Sequence, residues 1–353
     1  MVIVVTADPE IPVPPVRYGG IERIVDELVR GLGKRGHDVH LFAHPESTAP
    51  ARLLPYRGRR SQSLRDTARH SAQIWRHVRS LTRVDVIHSF GRLAYLLPLL
   101  RSPIPKVHSY QRHVSRRSVR LARMLGGDSL TLVACSRYCA ETAGPGTGDW
   151  TVVPNGVGSG TYAFAPAVPA DAPLAFLGRL EPIKGAHAAI EVARRTGRRL
   201  LIAGNQAMGR PGREYFEREI APHCDGRAIV HVGAVTDAEK SRLLGSAAAL
   251  LFPIEWGEPF GIVMIEALAC GTPVLAFARG AVPEVIEDGV TGILCRSVDE
   301  MVAAVARIRS LPRTACRASF ERRFSGEVLV DRYEALYREA VARRTPSAGP
   351  AAR

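Results

Sequence analysis

The sequence predicts an α/β protein of two doubly wound, parallel-sheet (Rossmann-like) domains facing a cleft, and three observations carry that expectation. Short apolar runs alternate with segments of helical spacing from one end of the chain to the other, the pattern of a parallel sheet covered by helices on both faces. A loose Gly/Ala/Pro-rich stretch over 158–173 divides that pattern into two sets and reads as an interdomain linker. The 353 residues, 46% of them hydrophobic, suffice for two buried cores at about 150 residues per domain.

In the first set, Val2–Thr6 is a short buried strand. Ile21, Ile24, Val25, Leu28, Val29 and Leu32 recur at helical spacing, and Gly36 stops that helix before the strand Val39–Ala43. Residues 61–82 read as a basic amphipathic helix whose apolar stripe is Leu64, Ala68, Ala72, Ile74, Trp75, Val78 and Leu81. The strand Val84–His88, the helical segment Leu93–Leu100 and the strands Ile104–Ser109, Leu130–Cys135 and Thr151–Val153 follow. The second set has strands at Leu174–Leu177, Leu200–Ala203, Ile229–Val232, Ala249–Pro253, Pro273–Ala276 and Gly292–Leu294, with helices between them. Helices over 297–309, 313–323 and 327–342 close the chain. The expected division is a first domain over 1–160 and a second over 161–326. A helix at 327–342 returns to the first domain, and 343–353 forms a disordered tail.

Charge is unevenly placed. The net charge is +14, and residues 52–123 hold 17 basic residues against two acids, Asp66 and Asp85. This half either attracts an anionic partner or is a solvated basic face. The helix over 61–82 has the composition of a peripheral membrane contact, although its apolar stripe is equally suited to packing on the sheet. No nucleic-acid module interleaves aromatics with the arginines, so nucleic acid is not expected as a partner. The six cysteines lack zinc-ligand spacing and read as reduced buried thiols, and no metal site is expected. The opening segment lacks the basic and apolar regions of a secretory signal, and no uncharged apolar run reaches about 18 residues, so a cytoplasmic protein is expected.

Ligands of open parallel sheets bind beyond the carboxyl ends of the strands, and three loops there carry chemistry. Gly19 and Gly20 precede a helix and let backbone N–H groups approach an anion, or simply make a turn. Arg179 and Lys184 flank the turn Gly178–Gly185. A departing diphosphate needs two such cations when no metal is present, although a pair of surface cations is the plainer reading. Glu258 stands in a loop and Glu266 one turn into an apolar helix, seven residues apart by count of those between them. A buried carboxylate there needs a partner, either ribose hydroxyls or a neighbouring cation. The N–H groups of Gly261 and Ile262 open that helix and suit phosphate or sugar oxygens.

Taken together, Gly19-Gly20-Ile21-Glu22-Arg23, Pro154-Asn155-Gly156-Val157, Gly178-Arg179-Leu180-Glu181-Pro182-Ile183-Lys184-Gly185, the spaced glutamates and Gly271-Thr272-Pro273-Val274-Leu275 resemble a retaining family 4 glycosyltransferase of the GT-B fold. The resemblance covers residues 2–342 and extends to a bacterial subgroup that includes pterin glucosyltransferases. It implies metal-independent transfer of a hexose from a nucleotide diphosphate sugar, UDP-sugar favoured, to a small-molecule acceptor, with no cofactor. It also implies roles, with the acceptor on the 1–160 domain and the nucleotide sugar on the 161–326 domain. Glu258 contacts donor sugar hydroxyls, Glu266 holds the ribose, and Arg179 and Lys184 neutralise the diphosphate. Gly19, Gly20, Val235, Phe260, Gly261 and Ile262 complete the donor site, with Val235 meeting the base through its backbone. The leaving phosphate takes the acceptor proton.

The sequence departs from the family at the acceptor side. In Val107-His108-Ser109-Tyr110-Gln111-Arg112, Gln111 occupies the place of a histidine that lies beside the donor sugar, and Phe90 replaces a polar residue after His88. Gln111 can hydrogen-bond a hydroxyl but carries no positive charge. His88, Phe90, His108 and Arg112 are the acceptor-side candidates, the two histidines being equally suited to packing at strand ends. Gly158 stands where the family usually has an aspartate. Rival readings are a nucleotide-sugar epimerase or a sugar phosphorylase of the same fold, and a non-catalytic nucleotide- or nucleic-acid-binding protein that uses the Arg-rich half.

Overall fold

Runs of Val, Ile and Leu without helical period become the strands of two sheets, each buried on both faces. The computed structural model describes residues 1–16, 19–58 and 60–344. The chain divides into two units, one of Met1–Pro154 with the C-terminal segment from Gly326, the other of Asn155–Ser325.

The first unit contains β1 (Val2–Thr6), α1 (Gly20–Lys34), β2 (Asp38–Ala43), β3 (Arg52–Pro55), α2 (Leu64–Ser80), β4 (Val86–Ser89), β5 (Lys106–Tyr110), α3 (Arg116–Gly126), β6 (Leu130–Ala134), α4 (Arg137–Glu141) and β7 (Thr151–Val152). Its seven strands are parallel in the order β3-β2-β1-β4-β5-β6-β7. The second unit contains β8 (Leu174–Leu177), α5 (Ala186–Thr196), β9 (Leu200–Ala203), α6 (Arg210–Tyr215), β10 (Ile229–Gly233), α7 (Asp237–Ser246), β11 (Ala249–Phe252), α8 (Ile262–Ala269), β12 (Val274–Phe277), α9 (Val282–Val285), β13 (Gly292–Cys295), α10 (Val298–Val305) and α11 (Arg313–Arg323). Its six parallel strands run β10-β9-β8-β11-β12-β13. Leu174, Phe176, Ile202, Leu251 and Leu275 on the strands pack with Ile190, Val192 and Met301 of the helices in one core.

The last helix, α12 (Gly326–Arg344), packs along α1 so closely that a Cβ on Gly31 would stand 2.3 Å from a Val330 methyl. Glu334 of α12 accepts from Arg35 at 2.6 Å and meets His37 at 2.9 Å. The tail expected over 343–353 begins inside α12, and its remainder, 345–353, lies outside the described residues.

Three expectations need correction. The stretch 158–173 is not a free linker: Tyr162 is buried, Ala163 N–H donates to Ser241 Oγ and Ala165 N–H to Cys270 O, all within the second unit. The unit boundary accordingly falls at Pro154/Asn155 instead of 160/161. On α2, Leu64 is 84% exposed, while Thr67, His70, Ser71, Ile74 and Val78 face inward. Polar groups tolerate that face because they are partnered: Thr67 donates to Ser61 O, Ser71 to Ala94 O, and the His70 ring lies between those of Tyr56 and Tyr95. Among the described residues no helix is long and apolar enough to cross a membrane, and the six cysteines are free thiols.

Candidate active site

In the second unit the strand order reverses between β8 and β11, the place where open α/β sheets leave a crevice for ligands. The loop after β8 carries Arg179 and Lys184, and the loop after β11 carries Trp256 and Glu258. Gly185 shows why the two loops converge. At φ 76°, a Cβ there would stand 2.0 Å from Pro253 O, so backbone meets backbone and only glycine fits. Glu255 N–H donates across to Ile183 O at 2.9 Å.

That convergence joins the charges. Lys184 Nζ donates to Glu258 Oε2 at 2.6 Å, Trp256 Nε1 donates to the same oxygen at 2.9 Å, and the ammonium stands 5.0 Å from the Trp256 ring centroid. The side chains of Lys184 and Glu258 are 19% and 11% exposed, so the pair is shielded but reachable. The loop after β12 braces Glu258 from behind. Ala281 N–H donates to Glu258 O at 2.9 Å, and a Cβ on Gly280 (φ 62°) would stand 2.4 Å from the Glu258 backbone N and O. Arg179 donates to Glu181 at 2.9 Å. Each cation expected at a diphosphate is thus held by a carboxylate, and an anionic ligand competes with Glu181 and Glu258 for them.

Glu266, at 2% exposure, is partnered by a cation, Lys240 of α7, at 2.5 Å, and by the Tyr162 hydroxyl at 2.5 Å. Gly261 caps α8 with no side-chain bond, leaving the first turn at Ile262 opened by backbone alone. The Phe260 side chain is buried, its ring centroid 6.0 Å from that of Phe324. Val235 is half-buried in the loop between β10 and the Thr236–Glu239 capping box that starts α7.

The equivalent reversal in the first unit lies between β1 and β4. Gly19 caps α1 and Gly20 begins it, and a Cβ on Gly19 would stand 3.0 Å from Glu22 Oε2. The Glu22 carboxyl is buried and pushed up to about 7, first by desolvation and then by the charges of Asp8 and Glu10. Asp8, itself raised by burial, accepts from Arg112 at 3.0 Å. An anion at this glycine turn therefore meets carboxylates, which the turn motif alone does not reveal.

His88 is enclosed: Nδ1 meets Tyr337 Oη at 2.5 Å and Nε2 meets Ser109 Oγ at 2.7 Å. Burial holds it well below the usual histidine range. Phe90 packs on it with ring centroids 4.2 Å apart. Both acceptor-side candidates are thus consumed by packing against α12. Burial, and then the Arg112 charge, push His108 down to about 3, so it is neutral. Gln111 is half-buried beyond β5, and Arg112 is exposed.

Residues 18–159 match the model described as Glycosyltransferase Family 4, and residues 167–321 the model described as Glycosyl transferases group 1. The chain belongs to the group 1 and family 4 glycosyltransferases. Its seven- and six-stranded Rossmann-like units are those of the GT-B class. This glycosyltransferase is 29% identical to a glycogen synthase of Mycobacterium tuberculosis over 86% of both chains. It is also 29% identical to a D-inositol 3-phosphate glycosyltransferase of Segniliparus rotundus, over 92% of this chain and 85% of the relative. Among solved structures it is similar to AviGT4, a glycosyltransferase involved in avilamycin A biosynthesis, with 25% identity, TM-score 0.70 and 97% and 98% coverage of the two chains. Anabaena HepE, solved in complex with UDP and glucose, has the same fold at 19% identity and TM-score 0.74, covering 96% of this glycosyltransferase and 100% of HepE.

Sequence reasoning misses Trp256, Gly280, Tyr162 and Lys240 in this glycosyltransferase. A signal for the last was present. The chain has 44 arginines but four lysines, Lys34, Lys106, Lys184 and Lys240. Three of the four are buried or paired, and Lys34 is exposed at the end of α1. Lys106 is fully buried on the carbonyls of Ser102 and Ile104, Lys184 pairs with Glu258, and Lys240 is buried on Glu266.

Proposed function

We propose that the enzyme transfers a hexose from a nucleotide diphosphate sugar, UDP-sugar favoured, to a small-molecule acceptor, with retention and without a metal ion, in the cytoplasm. The observation that carries this reading is the Lys184–Glu258 pair at the β8/β11 reversal, with Arg179 on the same loop. Arg179 and Lys184 exchange their carboxylate partners for the diphosphate and stabilise its growing charge. Glu258, released from Lys184, accepts donor sugar hydroxyls. The bond between the anomeric carbon and the β-phosphate oxygen breaks, the acceptor oxygen bonds to the same face, and its proton passes to the departing phosphate. Glu266 accepts the ribose hydroxyls, and the backbone at Val235, Gly261 and Ile262 completes the donor site. On the acceptor side, Gln111 and Arg112 are the residues to expect at a substrate, since His88 and Phe90 are packed away.

HepE's complexes with UDP and UDP-glucose support the donor class. The basic balance of residues 52–123 and the inositol phosphate named in relatives favour an anionic acceptor. The resemblance to pterin glucosyltransferases favours a small one.

Calorimetric titration with UDP, GDP, ADP and dTDP, then with their sugar conjugates, tests the reading. UDP is expected to bind selectively, and its sugar conjugate to be turned over at a rate that chelator leaves unchanged. Binding by none of the four, or loss of turnover with chelator, contradicts it.

A further inference from the structure

We infer that Lys240 and Tyr162 form a positioning clamp on Glu266, holding its carboxylate charged and aimed for the ribose of the nucleotide donor. The inference deepens the donor reading and rests on it.

A carboxylate at 2% exposure is costly in its charged form unless a cation and hydrogen bonds offset its lost hydration. Three oxygens surround the Lys240 ammonium: Glu266 Oε1 at 2.5 Å, Tyr162 Oη at 2.9 Å and Asp237 Oδ1 at 3.0 Å. Tyr162 donates its own proton to Glu266 Oε1 at 2.5 Å. Both bonds fall on one carboxylate oxygen, which fixes the side-chain rotation and gives the second oxygen a set direction. The clamp is assembled from three places: Lys240 and Asp237 from the first turn of α7, Glu266 from the middle of α8, and Tyr162 from the segment that enters the second unit.

The arginines of α11 are engaged with other groups. Of the two arginines that α11 packs near α8, Arg317 donates to the carbonyls of Tyr162 and Ala269 and to Glu321, while Arg313 donates to the carbonyls of Ala165, Gly245, Ala247 and Cys270 and to Thr272. Cys270 on the same side is pushed up to about 11, chiefly by burial, and is a neutral thiol. The strands under α8, Ala249–Phe252 and Val274–Phe277, carry no titratable side chain. Lys240 is thus the cation that α7 brings against Glu266, at 2.5 Å. A glutamate so held presents its carboxylate to a ribose in a fixed direction.

The test is the affinity for UDP, by calorimetry from pH 5.5 to 8.5, together with steady-state kinetics. Each variant is read as the ratio of its affinity to that of wild type at the same pH, so that protonation of the terminal phosphate of UDP, at about pH 6, cancels. In Lys240→Met, UDP binding weakens about tenfold at pH 8, the scale of one lost charge-assisted contact. It falls further as pH drops, because a buried carboxylate without its cation takes up a proton more readily. KM for the donor rises while kcat stays within about threefold, as for a binding interaction common to ground and transition states. Lys240→Met/Glu266→Gln removes the titrating carboxylate, and its ratio to wild type is expected to be pH-independent. Tyr162→Phe deletes a hydroxyl only, keeps the fold if Lys240→Met does not, and is expected to weaken UDP about threefold. UDP affinity unchanged in Tyr162→Phe and in any folded Lys240→Met, or a ratio to wild type that still declines with falling pH in the double variant, overturns the clamp. Wild-type protein that binds no UDP defeats the donor reading itself, before any variant is compared.

Discussion

At the reversal between β8 and β11 a lysine and a glutamate meet at 2.6 Å. At the equivalent reversal between β1 and β4, buried Asp8 and Glu22 surround a glycine turn and share one exposed arginine. The two sheets have the same strand order, apart from the added β7, so the crevice is a property of topology in both. Its chemistry is not. In the second unit three carboxylates near the crevice each meet a cation: Glu181 meets Arg179, Glu258 meets Lys184 and Glu266 meets Lys240. In the first, Arg112 bonds Asp8, and Glu22 keeps its proton up to about pH 7 because burial and neighbouring acids oppose its charge. Equal topology thus yields one site poised to exchange cations with an anion and another that titrates.

The largest expected effect comes from removing the cation of the charged crevice. Lys184→Met should lower turnover about 10²–10³-fold, the scale of losing a preorganised charge at a departing anion. Its thermal midpoint should fall with the fold kept, since Glu258, 11% exposed, loses its cation but retains the Trp256 Nε1 bond. Unfolding without a specific loss of rate would make the pair a structural one, and the contrast between the crevices would lose its functional meaning.

Next is the titrating crevice. Glu22 has an ordinary value of 4.5 and about 7 in the folded chain, so the folded chain binds this proton more tightly. Stability from that proton is complete below about pH 4.5 and is lost as pH rises through 7. Glu22→Gln cannot develop the charge. Relative to wild type it should gain stability between pH 4.5 and 8, by on the order of 3 kcal/mol if the whole shift is realised. Denaturant unfolding at a series of pH values measures this. Parallel curves for the two proteins would assign the titration elsewhere.

The smallest effect sharpens the geometry of the charged crevice. Gly280→Ala introduces a Cβ 2.4 Å from the Glu258 backbone, whereas Gly289→Ala has a similar φ (73° against 62°) and open space around it. Both should lose about 1 kcal/mol for the left-handed backbone. Only Gly280→Ala should also lose turnover, by displacing Glu258. Equal turnover in the two variants would show that Glu258 needs no bracing.

The elements were legible to the extent that they rest on local period. Strands such as Val2–Thr6 and Leu130–Ala134 and the helix Gly20–Lys34 follow from apolar spacing. Arg52–Pro55 escapes that reading because a four-residue edge strand bearing Arg and Pro shows no apolar alternation, and the arginine-dense Arg116–Gly126 escapes because its apolar face is narrow. The loops that carry Arg179, Lys184, Glu258 and Glu266 were also legible, since a parallel sheet puts its working residues after its strands.

The sequence by itself determined two parallel-sheet units, the loops that carry chemistry and the residue types in them, because periodicity and turn chemistry act over a few residues. Only the tertiary structure decided which charge answers which. Glu266 meets a lysine 26 residues away and a tyrosine 104 away, and His88 meets a tyrosine 249 away. Such pairings follow from how helices and strands pack. A buried carboxylate requires a partner, but its own surroundings in sequence do not name one.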